Sequence, residues 1–427
     1  MSHGGFHYHQ SALHCDRVSL AALVKNFGTP LYVYSAEMIR ERFRAFDREF
    51  RSVPHTVCYS VKASSTLGIL RLVWDLGSGF DVVSSGELAR VRKITRRAPG
   101  RTVFSGVGKT ADEIDAALSA GILLFNVESE SELHMLAERA ARSRRRAPLA
   151  FRVNPDVPAE THPYISTGLR EHKFGVPIED ARRLYALAAR HPSLDVAGVS
   201  VHIGSQITDV RPFELAMRRV AELVRDLRSD RHGIRYVDAG GGLGIPYQRK
   251  PSHDSLGWQH ELGYFSDYAR AITRPLRGLK VHLLLEPGRV IVGPAGALVT
   301  RVLYRKQNGT RRFIITDAAM NDLIRPSLYS AHHEIVPVHR LQQDTAGTAF
   351  DVAGPVCETG DFFARDRSMP QVGEGELLAI LDAGAYGMSL ASNYNTRPRP
   401  AEVMVHGSSV RVIRKREKLD DLIRNET

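Results

Sequence analysis

A lysine closing an apolar run, Tyr59-Ser60-Val61-Lys62-Ala63, is the first residue of this chain whose setting suggests covalent chemistry. An amine partly withdrawn from water is a good nucleophile toward an aldehyde and can form a Schiff base. Other short apolar runs close on Asp81 and His202, and two more lead into Gly240-Gly241-Gly242-Leu243-Gly244 and Glu286-Pro287-Gly288-Arg289. The glycine run offers backbone N–H groups with no Cβ in the way, so a phosphate can come close to them. A carboxylate such as Glu286 can pair with a protonated pyridine nitrogen, and a protonated ring withdraws the electrons left at Cα when carbon dioxide departs. Taken singly, each residue also has a structural reading: a lysine snorkelling from a rim, a tight turn, an ion pair between Glu286 and Arg289.

Several other patterns point to no chemistry. Ser105-Gly106-Val107-Gly108-Lys109-Thr110 resembles a nucleotide-binding P-loop, but the position of that motif's first glycine holds Val103. His332-His333 and the remaining histidines form no HExxH arrangement. His3, His7, His9 and His14 lack metal-ligand spacing and read as part of a mobile terminus, and no metal is expected. Cys15, Cys58 and Cys357 are far apart, which implies neither a disulfide framework nor a zinc cluster and suits a reducing, cytoplasmic compartment.

The residues with chemical promise need a frame that brings strand ends together. Between about 55 and 285 eight β-rich runs (55–61, 79–82, 102–104, 122–127, 149–153, 196–202, 234–238 and 279–285) alternate with runs of helical periodicity such as 129–142, 179–190 and 212–227. This alternation predicts a parallel sheet, and its size and repeat number match a closed (β/α)8 TIM-like barrel, whose sites lie at the carboxyl ends of the strands. Lys62, Asp81 and His202 end the first, second and sixth runs, and the glycine run and Glu286 follow the seventh and eighth. After about 290 the runs 297–304, 312–316, 333–338, 348–352, 377–381 and 402–405 follow one another without comparable helices, which predicts an antiparallel β domain. The expected division is a barrel over 35–288 and a β domain from 1–34 and 289–427, with Leu31-Tyr32-Val33-Tyr34 contributing a strand.

A chain of 427 residues with 43% hydrophobic residues can bury a large core. Its net charge of +11 is scattered, and the one local cluster, Arg142, Arg144, Arg145 and Arg146, reads as a solvated helix end rather than a nucleic-acid surface. The amino terminus has no basic start followed by an apolar stretch, and no apolar run is long enough to span a bilayer, so neither secretion nor membrane spanning is expected.

With these motifs in hand, the chain resembles the fold-type III pyridoxal-phosphate-dependent decarboxylases nearly end to end, and among them the branch acting on meso-2,6-diaminopimelate. Further residues carry the resemblance: Phe80-Asp81-Val82-Val83-Ser84, His202-Ile203-Gly204-Ser205-Gln206, Asn321-Asp322-Leu323-Ile324-Arg325-Pro326, Gly354-Pro355-Val356-Cys357-Glu358-Thr359-Gly360-Asp361 and Asp382-Ala383-Gly384-Ala385-Tyr386-Gly387. The resemblance implies the alanine racemase/ornithine decarboxylase-like fold, pyridoxal 5′-phosphate as cofactor, and removal of the carboxylate at the D-centre to give L-lysine and carbon dioxide. It implies that Lys62 forms the Schiff base, that His202 stacks on the ring, and that Glu286 holds the ring nitrogen with Asp81 beside the Schiff base. Ser205, Gly241, Gly242, Gly288, Arg289 and Tyr386 would surround the phosphate or its neighbourhood. Arg289, Arg325, Tyr329, Glu358 and Tyr386 would hold the substrate's far end. Cys357 would return the proton to Cα, although a free cysteine is more often a small buried hydrophobe. In such proteins this cysteine loop reaches the neighbouring subunit's site, which implies a homodimer with shared sites.

Ser60 and Ala63-Ser64-Ser65-Thr66 depart from the residues more usual beside the lysine, and cofactor binding is expected to survive the change. Related decarboxylases of ornithine, arginine or carboxynorspermidine would share Lys62, His202 and Glu286, but Arg325 and Glu358 argue against them. A racemase would pair the ring nitrogen with arginine. A non-catalytic regulator would have no need of Lys62 and Cys357. The segment 156–173 reads as a lid over the site.

Overall fold

The computed structural model describes residues 4–157, 173–248, 261–340 and 348–427. The chain forms two compact units: one from Phe43–Gly244 and Leu262–Gly288, the other from Met1–Arg42, Ile245–Glu261 and Arg289–Thr427.

The first unit is a closed parallel barrel. His55–Ser60, Gly79–Val82, Thr102–Phe104, Leu124–Val127, Ala147–Asn154, Leu194–Val201, Tyr236–Asp238 and His282–Leu285 pair in that order. The last strand closes on the first with Leu283 opposite His55. These are the eight runs expected from the sequence, trimmed or extended at their ends. Cys58, Val103, Leu124, Ala150, Ala197 and Leu284 form one fully buried cluster, so the barrel is a packed core rather than a channel. The helices between strands begin where the sequence supplies a cap. Ser84 accepts from the Glu87 N–H, Ser129 accepts from the Glu132 N–H, and Thr110 and Glu113 form a reciprocal capping box. Outside the barrel, Phe46, Phe50, Phe213 and Tyr268 pack in tilted and edge-to-face pairs at ring separations of 4.9–6.0 Å, and each such buried ring contributes about 2–3 kcal/mol.

The second unit is β-rich. One sheet runs Phe362–Met369, Thr348–Ala353, Arg311–Thr316, Gly296–Asn308, Leu31–Ser35, Ala401–His406, Ser409–Arg414, and Leu377–Ile380 pairs with both Gly296–Asn308 and Ile335–Pro337. Most pairings are antiparallel. Two are parallel, Arg311–Thr316 with Thr348–Ala353 and Leu31–Ser35 with Ala401–His406, because no hairpin joins either pair of strands. Leu31, Val33, Ala297, Val299, Ala379 and Val403 form its core.

The amino-terminal histidines differ from expectation. His7, His9 and His14 lie on an antiparallel pair, Phe6–His9 with Ala12–Cys15, in which His7 faces His14. Tyr8, Leu13 and Cys15 are buried by this pairing, and that alternation anchors a segment whose histidines had suggested mobility. The expected lid at 156–173 lies for the most part outside the described residues. Among the described residues no helix is long and apolar enough to cross a membrane, and no group of His, Cys, Asp and Glu could hold a metal. Arg142, Arg144, Arg145 and Arg146 are exposed at and beyond the end of the helix Glu130–Arg142.

Candidate active site

At the carboxyl ends of the barrel strands the chain leaves regular strand and presents polar groups. The first strand stops at Ser60 and a single 3-10 turn, Val61–Ala63, turns Lys62 out of the sheet. Lys62 Nζ lies 2.7 Å from Asp81 Oδ2, which also accepts from Ser60 Oγ at 2.6 Å. Asp81 is fully buried while a third of the Lys62 side chain is exposed, so the amine is fixed by a buried charge and still reachable. Among the described residues Asp81 Oδ1 has no hydrogen-bond partner, leaving capacity for another donor.

His202 is half-buried and follows the sixth strand. Desolvation, reinforced by the charges of Arg152 and Lys62, holds its pKa well below the ordinary histidine value, so the ring is neutral. The Gly241 N–H donates to its Nδ1 at 3.2 Å, which leaves the ring proton on Nε2. The glycine run needs its glycines: Gly240 and Gly242 have φ of +67° and +100°. A Cβ at Gly241 would stand 2.3 Å from the Glu286 carbonyl oxygen, and one at Gly242 2.3 Å from that of Gly204. Ser205 sits in the turn opposite, next to Gln206 at φ +59°. A Cβ at Gly288 would meet Ala63 at 2.8 Å, so the turn after the eighth strand packs directly on the lysine turn.

Glu286 is buried and belongs to a polar chain that sequence reasoning missed. Ser105 Oγ donates to Glu286 Oε1 at 3.2 Å, and Asn126 Nδ2 donates both to Ser105 Oγ at 3.0 Å and to Asp238 Oδ2 at 2.7 Å. Burial first, then the neighbouring Asp238 and Asp81, push the Glu286 pKa well above the ordinary range. Burial likewise raises Asp238 to about 6. Both carboxyls are thereby biased toward their protonated forms, and Glu286 can pass its proton to a basic partner such as a pyridine nitrogen, then pair with the cation formed. The signal was present in the sequence as a polar residue inside one short apolar strand, Leu124-Phe125-Asn126-Val127, and an acid ending another, Tyr236-Val237-Asp238.

The P-loop-like run is structural. Lys109 Nζ is buried, donating to Glu132 Oε1 at 2.7 Å, Asn126 O at 2.6 Å and Gly106 O at 2.8 Å. The lysine ties the third and fourth strands to the following helix rather than facing a ligand.

The second unit holds two buried arginines around one ring. Arg289 stacks on Tyr386 at 4.7 Å and its Nη1 donates to the Tyr247 hydroxyl, while Arg325 lies over the Tyr247 ring at 4.5 Å. Burial, with the like charge of Arg289 nearby, lowers the Arg325 pKa. Tyr386 and Asp382 adopt φ of +58° and +56°, strained backbone of the kind that clusters at functional sites. Tyr329 closes the short helix Arg325–Tyr329 and is half-buried. Cys357 and Glu358 lie on an exposed loop pinned by Asp361, which accepts from the Met320 and Val356 N–H groups at 2.7 Å. There the Cys357 N–H donates to Asn395 Oδ1 and Glu358 accepts from the Tyr394 hydroxyl, each at 3.0 Å.

The donor set fits pyridoxal phosphate. It offers an amine held by a buried acid for an aldehyde, a neutral imidazole for a flat ring, a buried carboxyl for a ring nitrogen, and glycine backbone for a phosphate. Comparison with known proteins agrees. Residues 36–293 match the family model described as pyridoxal-dependent decarboxylase, pyridoxal binding domain. The chain is 47% identical to diaminopimelate decarboxylase of Pseudomonas aeruginosa over 422 residues, 99% of this chain and 98% of that one. Among solved structures it resembles diaminopimelate decarboxylase of Helicobacter pylori complexed with L-lysine, with a TM-score of 0.87, 41% identity, and 95% and 98% of the two chains covered. The M. jannaschii enzyme in complex with L-lysine gives a TM-score of 0.90 at 37% identity, with 100% and 99% covered.

Proposed function

We propose a division of labour among the residues above, from the premise that this chain belongs to the pyridoxal-dependent decarboxylases and, within them, to the diaminopimelate decarboxylases. The reaction is the decarboxylation of meso-2,6-diaminopimelate at its D-centre, giving L-lysine and carbon dioxide. Pyridoxal phosphate, when bound, supplies an electron sink for the pair left by the departing carboxylate.

Lys62 would hold the cofactor through its amine, and the charge of Asp81 would favour the protonated state of that nitrogen. His202, neutral and fixed by the Gly241 N–H, offers its flat face to the ring. Glu286, as a carboxylate, would accept a hydrogen bond from the protonated ring nitrogen and keep it protonated, with the Ser105–Asn126–Asp238 chain holding the carboxyl in place. Ser205, Gly241, Gly242, Gly288, Arg289 and Tyr386 serve the phosphate and its surroundings.

Arg289 and Arg325, with Tyr329 and Tyr386, suit the second carboxylate of the substrate, and Glu358 suits its second ammonium. One charged hydrogen bond is worth about 1.5–3 kcal/mol, a discrimination of roughly ten- to a hundredfold against amino acids lacking the group. Cys357 returns the proton to Cα. Its exposure together with Glu358, which is hydrogen-bonded to the exposed Tyr394, supports a homodimer in which this loop serves the site of the other subunit. The cytoplasm is the compartment this reading assigns, with no nucleic acid or membrane as partner.

The observation that carries the reading is the lysine amine 2.7 Å from a fully buried aspartate at the barrel rim, with the buried Glu286 directly after the eighth strand. The test is carbon dioxide release from meso-diaminopimelate, L-ornithine, L-arginine and L-lysine at equal concentration with added cofactor. Release from diaminopimelate alone, with equimolar L-lysine, is expected; release from another amino acid sinks the assignment of Arg325 and Glu358.

A further inference from the structure

Arg325 meets an uncommon partner. Its Nη1 lies 2.7 Å from His333 Nε2, and the other nitrogen of that ring, Nδ1, lies 2.8 Å from the Leu381 carbonyl oxygen. A carbonyl can only accept, so Nδ1 carries the hydrogen and Nε2 presents a lone pair to the guanidinium. His333 is fully buried, its ring packs edge-on against Tyr247 at 5.1 Å, and Tyr247 in turn stacks under Arg325. Burial, and then the Arg325 charge, hold the His333 pKa well below the ordinary value, consistent with a ring that never competes as a cation.

The choice of a neutral acceptor has a consequence for binding. A carboxylate beside Arg325 would orient it equally well but would neutralise the charge that a substrate carboxylate needs to find. Histidine in this tautomer fixes the guanidinium and leaves its positive charge intact. We infer that His333 is a positioning residue whose Nε2 orients Arg325 for the carboxylate of the amino-acid substrate. The inference rests on the reading of Arg325 given above and adds a determinant of substrate affinity in a residue that need not touch the substrate.

Two near-isosteric variants separate the two hydrogen bonds. His333→Gln can place an acceptor near the Nε2 position, whereas His333→Asn keeps a donor for Leu381 and loses the acceptor for Arg325. With Arg325→Ala alongside, KM and kcat for meso-diaminopimelate, the dissociation constant of L-lysine, cofactor absorbance and the thermal midpoint are measured on holoenzyme. His333→Asn should raise KM and the L-lysine constant by roughly ten- to a hundredfold, with kcat and cofactor absorbance little changed. His333→Gln should stay within about threefold of wild type. Equal behaviour of the two variants, or a loss of cofactor absorbance in both, overturns the inference while leaving Arg325 assigned. An Arg325→Ala enzyme with unchanged KM overturns instead the reading on which it rests. Should both histidine variants unfold, 15N NMR of the wild-type imidazole still decides: a proton on Nδ1 is expected, and one on Nε2 contradicts the inference.

Discussion

Replacing Glu286 with Gln should weaken catalysis and strengthen the cofactor-free fold at the same time. In the fold without cofactor, burial raises the pKa of both Glu286 and Asp238, and the nearby charge of Asp81 adds to the effect. Both have folded-state pKa values raised above the unfolded ones, so the stability tied to their protonation is present at low pH and is lost as pH rises. Asp238 alone, moved from 3.8 to about 6, corresponds to roughly 3 kcal/mol at ~1.4 kcal/mol per unit. Glu286→Gln removes one of the two acids, and the variant should melt later than wild type at pH 8, a gain that shrinks toward pH 5. Catalysis should move the other way, because an amide cannot hold the proton of a ring nitrogen as a carboxylate does. Loss of one charged hydrogen bond together with the weaker electron withdrawal should lower kcat by at least about a hundredfold. Differential scanning of cofactor-free protein across pH and steady-state turnover of holoenzyme measure the two arms. A variant that melts earlier at pH 8, or one whose kcat stays within about fivefold of wild type, refutes the reasoning.

Three further perturbations have worked outcomes. Gly241→Ala forces a Cβ to within 2.3 Å of the Glu286 carbonyl and should cost about 1–3 kcal/mol in stability and weaken cofactor binding in a fluorescence titration, whereas Gly233→Ala, with nothing within 4 Å, should do neither. Asp322 is pushed from 3.8 to about 7, chiefly by burial, so its protonation stabilises the fold at low pH and that contribution disappears as pH rises through 7. Against Asp322→Asn, which cannot ionise, the wild type should therefore lose up to roughly 4 kcal/mol of relative stability between pH 4 and pH 8, read by denaturant titration; a constant difference contradicts the buried-acid account. Cys357→Ala should lower kcat by about a hundredfold or more with KM changed little, and an unaltered kcat in the steady-state assay removes Cys357 from proton return.

The barrel was legible because each strand is a short apolar run bounded by a polar or glycine residue, as at Gly79-Phe80-Asp81-Val82. The residues Lys62, Asp81 and Glu286 stood out for the same reason: a charge at the edge of an apolar run has to be explained. Asn126 escaped because it lies inside such a run, where a polar residue looks like an irregularity, and the role of Asp238, which ends its strand, shows only when its partner from a distant strand is known. Lys109 misled in the opposite direction, since a glycine-flanked lysine suggests phosphate while its real partner, Glu132, lies one helix away. The amino-terminal hairpin was read as a tail because its histidines drew attention from the alternation of Tyr8, Leu13 and Cys15 that buries it. His333 was set aside because metal-ligand spacing was the question asked of it. Its partner Arg325 lies eight positions away, across a short helix and a left-handed turn at Ser330, which no periodicity reveals.

The account stands most directly on the identity of the lysine that carries the cofactor. Borohydride reduction of the holoenzyme, followed by proteolysis and mass spectrometry, should find the reduced pyridoxyl group on Lys62 and abolish decarboxylation in proportion to labelling. Label on Lys109 or another lysine, with Lys62 unmodified and activity lost, would contradict it.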